Sequence, residues 1–204
     1  MGGCCDNDCA LETLRERQSA TLKMVLAINA VMFLVIVAGA LYARSAALMS
    51  DSLDNLGDAL TYALSLYAVA LGPRRKAQVA FFKGLLILLA ALVVAAQIAY
   101  KLVHPSVPVF EAMGAFSLLA LAANGACLAL LWRHRAEDVN MSSVWECSRN
   151  DIASNVAVFA AAGGVWATAS AWPDVFVASC LLVLFLRSAW RVLSAAHAEL
   201  RPAA

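Results

Sequence analysis

Hydrophobic and polar positions along this chain fall into long blocks. Apolar runs cover roughly residues 21–43, 47–72, 78–102, 112–133, 142–168 and 173–193. Each run is long enough to cross about 30 Å of hydrocarbon as an α-helix rising about 1.5 Å per residue. The breaks between them are chemically explicit: Arg44-Ser45, Gly72-Pro73-Arg74-Arg75-Lys76, HPSVP at 104–108, RHRAED at 133–138 and Trp172-Pro173-Asp174. The pattern predicts an all-α membrane protein, a six-helix transmembrane bundle over 21–193. A polar, cysteine-rich segment (1–20) precedes it and a short tail (194–204) follows. No fixed-period repeat interrupts this plan. The first twenty residues lack the apolar core of a secretory signal.

Composition supports the pattern. The chain is 63% hydrophobic and 14% charged, with a mean hydropathy of +0.76. A soluble domain averages about 45–50% apolar and about 25% charged, so a soluble globular protein is excluded. The net charge of +1 gives no reason to expect a nucleic-acid partner. The placement of the basic residues is more informative. Twelve of the fifteen Lys and Arg fall to one side: Arg15, Arg17, Lys23, Arg74, Arg75, Lys76, Lys83, Arg133, Arg135, Arg187, Arg191 and Arg201. Arg44 and Lys101 fall to the other side, and Arg149 lies within the fifth run. Positive charge is retained on the cytoplasmic face, so both termini are expected there. The expectation is an integral, multi-pass protein surrounded by lipid in a bacterial-type inner (cell) membrane.

The second run, LMSDSLDNLGDALTYALSLYAVALG, carries Asp51, Asp54 and Asp58, spaced three and four apart on one helical face. An isolated Asp at mid-membrane costs roughly 2.5–3.5 kcal/mol on insertion scales, so three cost about 7–10 kcal/mol unless compensated. The fifth run begins MSSVWECSRNDIASNVAVF, in which Cys147 and Asp151 are again four apart. The second and fifth runs cross in opposite directions, so the two pairs can face one another, with Asp54 level with Asp151 and Asp58 level with Cys147. Three carboxylates and one thiolate converging from two helices suit a borderline-soft, four-coordinate cation: Zn²⁺, with Cd²⁺ as a mimic. Mg²⁺ and Ca²⁺ want six or more oxygens. The ligands must lose protons to bind metal, so loading releases protons, and a site shown alternately to the two sides would exchange H⁺ for metal.

SAALMSDSLDNLGDALTYALSLY followed by VWECSRNDIASNVAVF resembles the second and fifth spans of the cation diffusion facilitator transporters. The resemblance extends over the six-span layout. By position Asp54 and Asp58 match that family's first ligand pair, Cys147 and Asp151 its second, and Asp51 an additional acid one turn earlier. The resemblance implies efflux of Zn²⁺ or a related divalent cation, antiport with protons and a homodimer. It implies no resident cofactor and no enzymatic activity. Two departures stand out. Cys147 occupies a position where the family usually has His, which leans the preference towards softer ions, and the expectation is a member lacking the ferredoxin-like cytoplasmic domain that many members carry.

Other residues keep two readings. Asp51 serves the ion directly or indirectly, or is a hydrated acid at the outer mouth. Glu146, Arg149 and Asn150 orient the ligands, or Glu146 and Arg149 pair with each other and close the inner mouth. Asn29, Asn124 and Asn155 bridge helices by hydrogen bonds or line the ion path. Cys4, Cys5 and Cys9 with Asp6 and Asp8 capture metal, or form a palmitoylated or free thiol cluster. His104, His134 and His197 are expected to be solvated. The five Trp are expected to anchor at the interfaces, and Gly163-Gly164 to permit close helix packing. A second function class stays open: a membrane metal sensor or interaction protein that binds metal at the same residues without transporting it.

Overall fold

The computed structural model describes residues 4–68, 73–133 and 139–200, with side chains in those ranges apart from 4–18, 65, 67–68, 73–76, 139–144 and 146–147. Six helices follow one another: α1 (Cys4–Ala43), α2 (Ala46–Ala68), α3 (Pro73–Val103), α4 (Phe110–Trp132), α5 (Val139–Thr168) and α6 (Trp172–Leu200). Among the described residues α1, over Ser19–Ala43, α3, over Ala77–Val103, α4 and α6 are each long and apolar enough to cross a membrane. The two that carry the acidic pairs, α2 and α5, are 23 and 30 residues long and complete the bundle.

Helix ends differ from the sequence expectation for local reasons. α1 is helical from Cys4, because neither proline nor glycine interrupts the chain before Gly39. α3 starts at Pro73 itself: a proline in the first helical turn forfeits only an N–H that has no intrahelical acceptor. The break before α6 falls at 169–171, so Trp172-Pro173-Asp174 opens the helix instead of separating two. α1 and α5 each end on a non-glycine residue in the left-handed region, Arg44 (φ 52°) and Ala169 (φ 48°). At Arg44 the turn is closed by the Ser45 amide donating to the Ala40 carbonyl at 3.1 Å, the six-to-one bond that ends many helices.

α2 is the centre of the bundle. Among the described residues it is the helix that packs against all five others, while α1 pairs with α2 and α4, α4 with α5, and α3 most extensively with α6. Close approaches occur at small residues. A β-carbon on Gly39 would sit 2.5 Å from the Phe116 ring, one on Gly84 would sit 2.8 Å from Leu193, and one on Gly164 would sit 2.9 Å from Pro173. Gly163, expected to share that role, faces open space. Trp132, Trp166, Trp172 and Trp190 are exposed, the first three at helix ends.

At the end of the bundle away from the termini, Asp174 ties four segments together. Its carboxylate is fully buried and accepts from the Ser45 hydroxyl (2.6 Å) and from the amides of Ala46 (2.9 Å) and Ala47 (3.0 Å). It also pairs with the Lys101 ammonium at 2.5 Å. The Ser45 Oγ in turn accepts from the Leu48 amide at 3.0 Å. The first three amides of α2, which have no acceptor within the helix, are thereby satisfied, and a negative charge sits at its positive dipole end. Sequence reading placed both Asp174 and Lys101 at the outer connections, where neither was assigned a partner.

Candidate functional site

The inner face of α2 presents Asp51, Asn55, Asp58 and Tyr62, all buried and spaced by one helical turn or slightly less. Ser148, Asp151 and Asn155 line the buried face of α5, and Ser117, Asn124 and Cys127 that of α4. Asn29 is buried on α1. Four helices thus turn polar side chains inward within a bundle whose outer surface carries exposed Leu, Val, Phe and Trp.

The acids on α2 and α5 meet. The Asp58 and Asp151 carboxyls act on one another electrostatically, and both interact with Asp54. Asp51 lies within the same field. Asp151 thus faces the Asp54/Asp58 pair of α2, as the opposed directions of the two helices lead one to expect. Asp54, half-buried, joins Asp58 in lining a cavity of about 240 Å³ between α2, α3 and α6, whose wall includes Leu53, Lys83, Ile87 and Phe185. One acid pair therefore borders both the α5 interface and an open cavity.

The backbone of Cys147 and Glu146 lies in α5, and their side chains fall outside the described residues. Among the described residues no three His, Cys, Asp or Glu side chains close on a single point. Arg149 is exposed, with its guanidinium 5.4 Å from the centre of the Trp145 ring. His104 is exposed and stacks on Tyr100 at 4.7 Å. His134 and the Cys4–Cys9 side chains lie outside the described residues.

Hydrogen bonding gives the interior a marked polarity. Asn55 donates its amide to the Asp51 carbonyl (2.9 Å) and Asn155 donates to the Asp151 carbonyl (2.7 Å), so each Asn bonds back along its own helix. Asn155 therefore does not bridge helices as expected. Asn29 donates to the Val25 carbonyl at 3.0 Å and to the Cys127 sulfur at 3.8 Å. These bonds use the Asn amide donors; the Ser148 Oγ and the Trp145 Nε1, also buried, have no hydrogen-bond partner among the described residues. The Oδ2 of Asp51 and the Oδ1 atoms of Asn29, Asn55 and Asn155 are buried with no hydrogen-bond partner among the described residues. Each such orphan costs about 1–3 kcal/mol, and several acceptors without donors are what a cation or a proton stabilises. Sequence reading missed Asn55 and Cys127. Their signal was one helical turn of spacing, from Asp51 to Asn55 and from Asn124 to Cys127.

No curated protein gives a significant match to the chain. A family model described as the cation efflux transmembrane domain matches residues 22–200, which takes in all of α2 to α6 and most of α1. With acids meeting across α2 and α5 inside a six-helix bundle, that match places the chain in the cation diffusion facilitator family of membrane cation transporters.

Proposed function

We propose that this chain exports a divalent cation of the Zn²⁺/Cd²⁺ kind in exchange for protons, with Asp54, Asp58, Cys147 and Asp151 as ligands and the two faces of the membrane reached alternately. The observation that supports the reading is that the buried Asp58 and Asp151, from α2 and α5, act on one another beside the cavity that Asp54 and Asp58 line. Two buried carboxyl groups held near one another repel when both are charged, and a proton on one relieves that repulsion when no cation is bound. A metal ion that takes both oxygens must displace that proton, which makes exchange a property of the ligands themselves. Asp54 and Asp58 border the cavity between α2, α3 and α6 and offer the ion its route to the pair. Asp51 and Asn155, each with a buried oxygen lacking a partner, serve the ion on its way past the ligands. A thiolate at Cys147 favours softer ions over Mg²⁺. The functional unit is a homodimer, as the family resemblance implies.

The test is uptake of Zn²⁺ or Cd²⁺ into proteoliposomes under an imposed pH gradient, for the native chain and for Asp58→Ala. The native chain should concentrate metal only while the gradient lasts, and Asp58→Ala should fall to the level of empty vesicles. Metal binding without gradient-driven flux in the native protein would favour a sensor. Undiminished flux in Asp58→Ala would remove the site.

A further inference from the structure

Among the described residues that line the cavity between α2, α3 and α6, Lys83 carries the positive charge. The other charged groups on that wall are Asp54 and Asp58, and most of the remainder is apolar, with Leu86, Ile87 and Phe185 facing the same space. In the sequence Lys83 is grouped with Arg74, Arg75 and Lys76 of the α2–α3 connection. The fold separates it from them. α3 starts at Pro73, so Lys83 stands ten residues, or about 15 Å, along the helix. It lies within Ala77–Val103, the stretch of α3 apolar enough to cross a membrane, and its side chain is half-buried. A charge at such a position is costly and calls for a partner.

The helical hairpin says which partner. α2 ends at Ala68 and α3 starts at Pro73, and the two helices pack along one another. Asp58 is ten residues before the end of α2, just as Lys83 is ten after the start of α3. Ammonium and carboxylate therefore stand level on neighbouring antiparallel helices, bordering one cavity of about 240 Å³.

We propose that Lys83 is a tethered counter-cation of the transport site: it offsets the charge of Asp58 while no metal is bound, and an arriving ion must displace it. The inference rests on the transport-site reading above and deepens it by naming what keeps monovalent cations out. A compact ammonium on a flexible four-carbon stem can withdraw without disturbing α3. A monovalent ion brings no more charge than the ammonium it would replace, whereas a divalent ion brings twice as much, so the exchange favours the divalent ion. The same displacement lowers the affinity for that ion and leaves it free to depart.

The experiment uses the full chain in detergent at low ionic strength, with Cys4, Cys5 and Cys9 changed to Ser so that terminal thiols take up no metal, titrated with Zn²⁺ alone. Lys83→Met keeps the length of the stem and loses the charge. It should bind Zn²⁺ at least about tenfold more tightly, the scale on which one charge acts on a divalent ion across a partly hydrated cavity, while Lys83→Arg should stay within about threefold of the parent. Titrations repeated in methylammonium, or in equal concentrations of the bulkier choline, give a readout that a purely structural lysine would not move. In Lys83→Met methylammonium should weaken Zn²⁺ at least about threefold more than choline does, because it can take the place of the lost side chain, and in the parent the two should act alike. Zn²⁺ affinity in Lys83→Met equal to or weaker than the parent's, or equal effects of the two amines there, overturns the inference and leaves the α2–α5 site standing. Undiminished Zn²⁺ affinity in Asp58→Ala overturns the site itself, and the inference with it. Where Lys83→Met does not yield folded protein, Lys83→Gln carries the same expectations.

Discussion

Asp174→Ala is the substitution whose consequence the bundle specifies most fully. The side chain is completely buried, accepts three hydrogen bonds and neutralises Lys101, which is itself 7% exposed. Removing it leaves an ammonium without a counter-ion and two amides at the start of α2 without acceptors. Breaking a buried ion pair from one side costs about 3–5 kcal/mol, and the lost capping of α2 keeps the sum towards the upper end. For a chain of this size 1 kcal/mol corresponds to about 2–4 °C in melting temperature, so the loss should be roughly 10 °C or more. The assay is monodispersity by size exclusion after a heating series in detergent. Lys101→Met should cost less than Asp174→Ala, because the carboxylate keeps its three donors. Combining Lys101→Met with Asp174→Asn should recover at least about 1 kcal/mol relative to the sum of the single changes, since neither charge is then left alone. A melting temperature for Asp174→Ala within about 2 °C of the native chain, or strict additivity of the pair, would refute the reasoning.

Gly39→Ala should destabilise by about 1–3 kcal/mol, because its β-carbon would fall 2.5 Å from the Phe116 ring; Phe116→Leu in the same chain should restore most of the melting temperature. Ala169→Gly should raise stability by up to about 1 kcal/mol, since a left-handed residue (φ 48°) costs an L-amino acid about 1–2 kcal/mol and glycine returns part of that as backbone entropy. Zn²⁺ added to lightly buffered protein near neutral pH should release protons into an indicator dye, and Asp151→Asn should reduce the yield by about one proton per bound ion. Asn155→Leu exchanges a buried amide whose oxygen has no partner for an apolar group, so the fold should hold to within about 1 kcal/mol while Zn²⁺ flux in proteoliposomes falls at least tenfold.

The six helices were legible because runs of Leu, Ala and Val admit little else in a membrane, and α2 and α5 were marked by the acids that interrupt them. The depth at which those helices meet was not legible. Spacing of four along each helix says which residues share a face, and it says nothing of how far one helix slides along the other. Asp174 was hidden for a different reason. It follows Trp172-Pro173, which reads as a turn, and its burial depends on Ser45 and Lys101 arriving from distant parts of the chain. Lys101 entered the charge tally as an outward-facing cation, whereas the fold buries it against Asp174. Asn155 illustrates a third limit. A lone Asn in an apolar helix suggests a cross-helix bond, but the nearest acceptor is always the carbonyl four residues back.

α3 and α6 hold each other more tightly than either holds the rest, and they lean on the remaining four helices through α2 and α5. Asp174 rivets that leaf to the α1–α2 corner at one extremity. Any swing of the leaf must then pivot near the rivet, and its reach grows with distance. Ser45 to Asp58 is thirteen residues, or about 20 Å at 1.5 Å per residue. A tilt of about 10° would part the walls beside Asp58 by about 3 Å, and beside the far tip of α2 by about 6 Å. A few degrees at the rivet are thus enough to widen or shut a passage for one dehydrated ion.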